Sequence, residues 1–150
     1  MDSGPPALSA TASRVVAAPP QEVYAFVSDM TRMGEISPET RSVRWTEPGR
    51  RFRGSNAIGR FYRWSMSGSV TEDVSGEVFA FRTDWPSQTD WRYTFESVDG
   101  GTLVTESMRK QRRQLRLIVL LQDLAGARDR QAHLQAGMET TLVRLAGRFA

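Results

Sequence analysis

The sequence predicts an α+β domain in which one long C-terminal helix covers a curved antiparallel sheet. From residue 41 to residue 109, apolar and polar residues alternate in short runs separated by turn residues. Such alternation is typical of antiparallel strands with one buried face. After residue 130 the period changes, and apolar residues recur at helical spacing as far as Phe149. A chain of 150 residues fits one domain of this kind.

The N-terminal part predicts a tail, a strand and two short helices. Residues 1–12 are small and polar, which favours a flexible tail and leaves residues 13–150 as the folded domain. A β-branched pair indicates a first strand over residues 13–18. Pro20 suits the first turn of a short helix. Asp29 is expected to cap a second short helix that ends near Gly34.

The central part predicts six to seven antiparallel strands. The longest alternation covers residues 60–72, and Asp99-Gly100-Gly101 is a strong hairpin signal. Aromatic and apolar side chains on one face of two strands could pack as core or form the wall of a ligand pocket. These candidate ligand-binding residues are Tyr62, Trp64, Met66, Trp91, Tyr93 and Phe95.

The last helix is the only long apolar stripe available to cover the sheet. Its apolar face carries Leu134, Met138, Thr141, Leu142, Leu145 and Phe149. The architecture expected is therefore a helix-grip fold, with the sheet wrapped on this helix. A pocket remains where helix and sheet do not pack fully, and Met138 and Leu142 are expected to line it.

Four segments carry a resemblance to known proteins. They are residues 14–29 with Ala18-Pro19 and Val23–Asp29; Met33–Glu39; Phe52–Asn56 with Trp64; and Gly101–Ser107 together with Gly137–Leu142. With these segments the chain resembles the START-like (Bet v 1-like) superfamily, and especially actinobacterial proteins described as polyketide cyclase/dehydrase. The resemblance implies a cavity for an apolar, polyketide-like or lipid-like molecule. It implies either a carrier or sensor, or a cofactor-free cyclase, dehydratase or isomerase.

Composition excludes several other classes of function. The chain has no cysteine, which excludes disulfides and thiolate chemistry, and His133 is its only histidine. The sequence therefore predicts no metal site and no cofactor. The formal charge is +3, but the arginines are spread along the chain among the acids. We expect no nucleic-acid partner, since a phosphate-binding face needs a denser basic stripe.

Three residues are candidates for catalysis if the protein is an enzyme. Glu106 on one strand parity would be partly buried, with a raised pKa suited to proton transfer; on the other it would be an outward ion-pair partner. Arg82 shares its parity with Val78 and Ala80 and would polarise a carbonyl, a role that the resemblance implies. Tyr93 could donate a hydrogen bond to a ligand carbonyl.

The N-terminal segment and the apolar segment 115–124 bear on the location and the oligomeric state of the protein. The N-terminus has neither the basic nor the apolar region of a signal peptide, so a cytoplasmic protein is expected. The apolar segment 115–124 follows a basic run and suggests a lid, a dimer contact or, less favoured, a membrane-touching lip. We expect a monomer or homodimer; membrane contact is possible but is not expected.

Overall fold

The structure is a computed structural model, and it describes residues 8–84, 88–110 and 130–150. These residues form seven strands, two α-helices and one 3₁₀ helix. In chain order they are β1 (Leu8–Val16), α1 (Pro20–Val27), the 3₁₀ helix (Met30–Glu35), β2 (Thr40–Glu47), β3 (Arg51–Ile58), β4 (Tyr62–Val74), β5 (Val78–Thr83), β6 (Thr89–Val98), β7 (Gly101–Lys110) and α2 (Arg130–Gly147).

All seven strands belong to one antiparallel sheet. Its order is β1-β7-β6-β5-β4-β3-β2, so β2 to β7 form a meander and β1 pairs with β7 at the other end. The two short helices follow β1, and the long helix follows the meander. The predicted α+β helix-grip fold is confirmed.

The first strand begins earlier than the sequence predicts. It starts at Leu8, whose register partner is Lys110, so residues 8–12 are strand and not tail. Ala10 is buried in a small cluster with Met108 and Met138. Pairing with β7 and this burial outweigh the small, polar composition that favoured a tail. The first seven residues lie outside the described part of the chain.

The two short helices form where the sequence predicts them. Pro20 opens α1, and the side-chain carboxylate of Asp29 caps the 3₁₀ helix: its Oδ1 accepts a hydrogen bond from the Thr31 amide at 3.0 Å. The buried side of α1 consists of Val23, Phe26 and Val27. Both helices therefore add apolar side chains to the same core as the sheet.

The core lies on one face of the sheet, which we call the inner face. Phe52, Phe79, Phe81 and Tyr93 pack there, and Leu142 and Leu145 of α2 complete the cluster. Gly68 is needed at this surface because a Cβ atom would lie 2.5 Å from the Phe52 ring. The opposite, outer face carries mostly polar side chains.

The long helix packs chiefly against β1. Its predicted apolar stripe contributes side chains to the core. Met138, Leu142 and Leu145 are buried, and Gln135 Nε2 donates a hydrogen bond to the Thr11 carbonyl at 2.8 Å. The segment 115–124, for which a lid, a dimer contact or a membrane-touching lip was considered, lies outside the described residues.

Candidate functional site

A buried tyrosine and a buried glutamate face each other at the centre of the inner face. Tyr93 of β6 and Glu106 of β7 are register partners, and the Tyr93 hydroxyl donates a hydrogen bond to Glu106 Oε2 at 2.7 Å. Their side chains are 2% and 1% exposed. We call these two residues the inner pair. Glu106 thus takes the inward one of the two orientations left open by the sequence.

Burial dominates the electrostatics of the inner pair. Desolvation raises the pKa of Glu106 to about 8, although the hydrogen bond from Tyr93 acts in the opposite direction. Desolvation and the neighbouring carboxylate also raise the pKa of Tyr93 well above its ordinary value. At neutral pH Glu106 is therefore mainly a neutral carboxylic acid, which can donate as well as accept a hydrogen bond.

One oxygen of this carboxyl group has no hydrogen-bond partner among the described residues. Glu106 Oε1 is buried, and within the described residues no group forms a hydrogen bond with it. Asn56 Oδ1, which also lies on the inner face, is buried in the same way. A buried polar atom without a partner costs about 1–3 kcal/mol, so each such atom needs an explanation.

Aromatic rings line the inner face, and two of them lie beside the inner pair. The Phe81 ring is stacked on Tyr93 and on Trp91, with centroid distances of 6.5 Å and 6.3 Å. Trp45, Trp64 and Trp91 point to the inner face but are only partly buried. Helices and sheet therefore leave part of this aromatic wall uncovered among the described residues.

The predicted ligand-binding residues fall into three groups. Met66, Tyr93, Phe95 and Leu142 belong to the main core cluster, which Trp91 also contacts. Met138 belongs to the smaller cluster with Ala10 and Met108, and Trp91 contacts this cluster too.

The third group lies apart from the inner pair. The rings of Tyr62 and Trp64 contact each other at 5.1 Å near the start of β4. Tyr62 is 38% exposed, and β5, which lies between β4 and β6, pairs with β4 only from Gly68 onward, so the structure does not bring Tyr62 together with Tyr93 and Glu106.

Arg82 is not on the inner face, which corrects its predicted orientation. Phe79 and Phe81 occupy the inward positions of β5, so the alternate position of Arg82 points to the outer face. There its guanidinium donates to Asp90 Oδ1 at 2.7 Å. This hydrogen bond raises the pKa of Arg82. The parity that it shares with Val78 and Ala80 is that of the outer face.

The sequence matches the model of a known protein family over nearly its whole length. Residues 7–149 match the family described as "Polyketide cyclase / dehydrase and lipid transport". The chain belongs to this family. The family description covers both chemistry and transport, so membership leaves both kinds of function open. No curated protein matches the sequence significantly.

Solved structures support the assignment to this polyketide cyclase/dehydrase and lipid transport family. A Polyketide_cyc-like protein from Corynebacterium glutamicum, Cgl2372, is 27% identical with a TM-score of 0.63, and 95% of this chain covers 91% of it. A START superfamily protein from Mycobacterium smegmatis shares the fold with a TM-score of 0.68 at 15% identity, over 94% and 96% of the two chains.

A third similar structure is a two-domain protein. The di-domain ARO/CYC StfQ from the steffimycin biosynthetic pathway matches with a TM-score of 0.73 at 14% identity. The match covers 96% of this chain and 50% of StfQ. At this identity the likeness concerns the fold alone.

Sequence reasoning missed several inner-face residues of this family member. The sequence places Asn56 only within a segment of the family resemblance and predicts no role for Phe79 and Phe81. A signal for Asn56 existed, because Gly54 and Asn56 continue the parity of Phe52 along β3. The pairing of Asn56 with Trp64 follows only from the β3–β4 register, which the local sequence does not determine.

The acidic residues near the short helices connect elements. His133 Nε2 lies 2.9 Å from Glu39 Oε1, and Arg148 Nη2 lies 2.6 Å from Glu35 Oε1. These pairs link α2 to the 3₁₀ helix and to the segment before β2. His133 is half exposed and does not contact the inner pair.

Two open clefts on the surface are separate from the inner pair. One, of about 500 Å³, lies between the β2–β3 turn and β4; the other, of about 450 Å³, lies between α1 and the end of α2. Both are lined largely by charged residues. A cleft with such a lining suits an apolar ligand less well than the inner face does.

Neither described α-helix combines the length and the apolar content that crossing a membrane requires.

Proposed function

We propose that this protein binds an apolar small molecule against the inner face of its sheet, as a carrier or sensor. The observation that carries the proposal is the buried Glu106 Oε1, which lies beside an aromatic wall and has no partner in the part of the chain that the structure describes. The ligand presents one hydrogen-bond acceptor, such as a ketone oxygen, to this atom. The rest of the ligand is flat and apolar.

The aromatic wall supports a flat ligand. Phe81, Trp91 and Tyr93 lie nearly parallel, with interplanar angles of 18° and 20° between neighbours. Offset stacking on such rings adds about 0.5–1.5 kcal/mol beyond the burial of apolar area. The partly buried tryptophans are the part of the wall that the ligand would cover.

The protonation state of Glu106 supports an acceptor on the ligand. Tyr93 already donates to Oε2, so the carboxylic proton is free to sit on Oε1. With a pKa of about 8, the carboxyl group donates at neutral pH and loses this proton in alkaline solution. A ketone oxygen accepts from the acid but is repelled by the carboxylate.

The family supports an apolar ligand in general terms. Its description joins polyketide cyclases and dehydrases with lipid transport, and StfQ is an ARO/CYC protein of the steffimycin biosynthetic pathway. Polyketide-like and lipid-like molecules are both largely apolar and carry few acceptors.

A matched pair of ligands tests the proposal. We expect 9-fluorenone to quench the tryptophan fluorescence and to bind at least fivefold more tightly than fluorene at pH 6.5, because the two differ by one ketone oxygen. Glu106→Leu removes the donor and should abolish the preference. Glu106→Gln keeps an N–H donor and should keep the preference for the ketone. In this variant the preference should persist above pH 8, where the wild type loses it.

Outward-facing Glu96 supplies the control. Glu96→Gln changes the same chemical group on the other face of β6 and should bind like the wild type. If neither ligand quenches the tryptophans, or if Glu106→Leu keeps the preference, the proposal is overturned.

A second candidate function is proton-transfer catalysis in a cofactor-free cyclase or dehydratase. The specific observation is a carboxyl group with a pKa of about 8, close to the operating pH of a general acid or base. As carboxylate, Glu106 would take a proton from the carbon α to a ketone. As acid, it would return that proton to a departing hydroxyl group, which leaves as water.

Deuterium exchange separates this candidate from simple binding. In D₂O the wild type should accelerate exchange at the α-carbon of 2-tetralone, followed by NMR, and Glu106→Gln should not. If Glu106→Gln still binds the ketone and neither protein accelerates the exchange, only the carrier or sensor function remains supported.

A further inference from the structure

The hairpin between β3 and β4 ends in an exposed apolar tip. We call residues 58–62 the β3–β4 tip. Phe61 is 95% exposed, and Ile58 and Tyr62 are 39% and 38% exposed. Gly59, with φ +65°, supplies the left-handed conformation of the turn that carries Phe61, and Ile58 and Tyr62 are the last register pair before it. Single exposed apolar residues are common, but an exposed cluster at a hairpin end needs an explanation.

The same hairpin is strongly basic. From Pro48 to Thr71 the chain has five arginines and no aspartate or glutamate. Within the described residues, Arg53, Arg60 and Arg63 form no ion pair. Two of these three, Arg60 and Arg63, lie in or directly beside the β3–β4 tip.

Elsewhere on the outer face, arginines form ion pairs. Arg82 pairs with Asp90, and Arg92 pairs with Glu72, each across neighbouring strands. In contrast, Arg53 lies directly opposite Arg44 in the β2–β3 register. Like charges opposite each other destabilise a sheet unless an anion lies between or upon them. The register partner of Arg53 therefore carries no negative charge, whereas Arg51 on the same strand lies opposite Glu47.

We propose that the β3–β4 tip docks on the surface of an anionic lipid bilayer. Phe61 and Ile58 enter the boundary between headgroups and acyl chains, where apolar side chains leave water. Arg60 and Arg63 contact lipid phosphates, and Tyr62 lies at headgroup level, a preferred position for an amphipathic ring. The docking is peripheral and independent of what the inner face binds.

A bilayer fits this surface better than a nucleic acid does. Both partners supply phosphates for the arginines, and an exposed aromatic ring can stack on a base. Ile58 beside Phe61, however, offers an aliphatic surface that acyl chains cover and that bases and phosphates do not. The apolar side chains also form the extreme end of the hairpin, as insertion requires.

Vesicle sedimentation tests the proposal. We expect the protein to bind phosphatidylcholine vesicles that contain about one third phosphatidylglycerol, and to bind pure phosphatidylcholine vesicles at least tenfold more weakly. Binding should weaken when NaCl is raised from 0.05 to 0.3 M, because surface charges are screened. Phe61→Ser should reduce binding about tenfold, and Arg60→Gln and Arg63→Gln about fivefold each.

Matched variants at the other end of the molecule are the controls. Val143→Ser removes an exposed apolar side chain from α2, and Arg14→Gln and Arg144→Gln each remove one exposed positive charge. These variants should bind as the wild type does. Circular dichroism should show every variant folded, since the changed side chains are exposed.

Two results would overturn the proposal. One is a wild type that does not sediment with phosphatidylglycerol vesicles, or tip variants that bind no more weakly than the controls. The other is tight binding of a dT₂₀ oligonucleotide that Phe61→Ser abolishes, without vesicle binding, which would assign the surface to nucleic acid.

Discussion

At the scale of single residues, Glu106 differs most from an ordinary core position. It occupies an inward strand position between Val104 and Met108, where a carboxylate would be poorly solvated. Its pKa is raised to about 8 by this burial. The carboxyl group therefore makes folding sensitive to pH over a range in which ordinary glutamates are already ionised.

Stability should fall as the pH rises across that range. In the unfolded chain Glu106 ionises near its ordinary value of 4.5, whereas in the folded protein it keeps its proton up to about pH 8. Between these values the unfolded state binds fewer protons and is favoured. Urea unfolding should show Glu106→Gln gaining on the wild type by up to about 1.4 kcal/mol per pH unit from pH 5 to pH 8.

The exposed Glu96→Gln variant should give a profile parallel to that of the wild type. A Glu106→Gln profile that is also parallel would show that Glu106 titrates normally.

The hydrogen bond from Tyr93 should lower the pKa of Glu106, and its removal should raise it. In Tyr93→Phe the carboxylate loses its only described donor while remaining buried. The carboxyl ¹³C resonance of Glu106 should then titrate above the wild-type midpoint of about 8. Tyr62→Phe, a partly exposed tyrosine near the start of β4, should leave this midpoint unchanged. A lower midpoint in Tyr93→Phe would contradict the described contact.

At the scale of elements, the sequence predicts the periodic parts well and the register-dependent parts poorly. The alternation along β4 and the stripe along α2 identify their buried faces because one period decides the orientation. Arg82 and Glu106 are different, because each lies in a strand with apolar neighbours on both parities. Only pairing with β4 and β6 determines that Phe79 and Phe81 point inward and Arg82 outward.

The start of β1 shows the same limit. Residues 8–12 carry small and polar side chains, and their strand conformation depends on pairing with β7 and on burial of Ala10. Neither contact is visible in the local sequence. The β3–β4 tip is a further case, because the predicted strand over residues 60–72 includes Arg60 and Phe61, whereas β4 begins at Tyr62.

Packing of α2 on β1 and β7 should depend on Met138. This side chain is 2% exposed and packs with Ala10 and Met108. Met138→Ala should lower the free energy of unfolding by about 2–5 kcal/mol, as large-to-small changes in cores do. Val143→Ala on the same helix, at a half-exposed position, should change it by less than about 0.5 kcal/mol. Equal effects of the two substitutions in urea unfolding would place Met138 outside the core.

At the scale of the whole molecule, the inner and outer faces of one sheet differ in their chemistry. The inner face combines stacked aromatic rings with a single neutral acid, which suits a ligand that is apolar except for one acceptor. The outer face pairs its charges at one end and leaves arginines unpaired beside the β3–β4 tip at the other, within the described residues. A carrier that exchanged apolar cargo with a bilayer would use both faces.

The most direct test of the central claim is the infrared carbonyl stretch of bound 9-fluorenone, identified by ¹³C labelling of the ketone. A hydrogen bond from Glu106 should lower this frequency at pH 6.5 relative to fluorenone in an apolar solvent. The shift should persist in Glu106→Gln and disappear in Glu106→Leu and in the wild type at pH 9.5. A bound ketone with an unshifted stretch in the wild type at pH 6.5 would contradict the claim that Glu106 recognises the ligand.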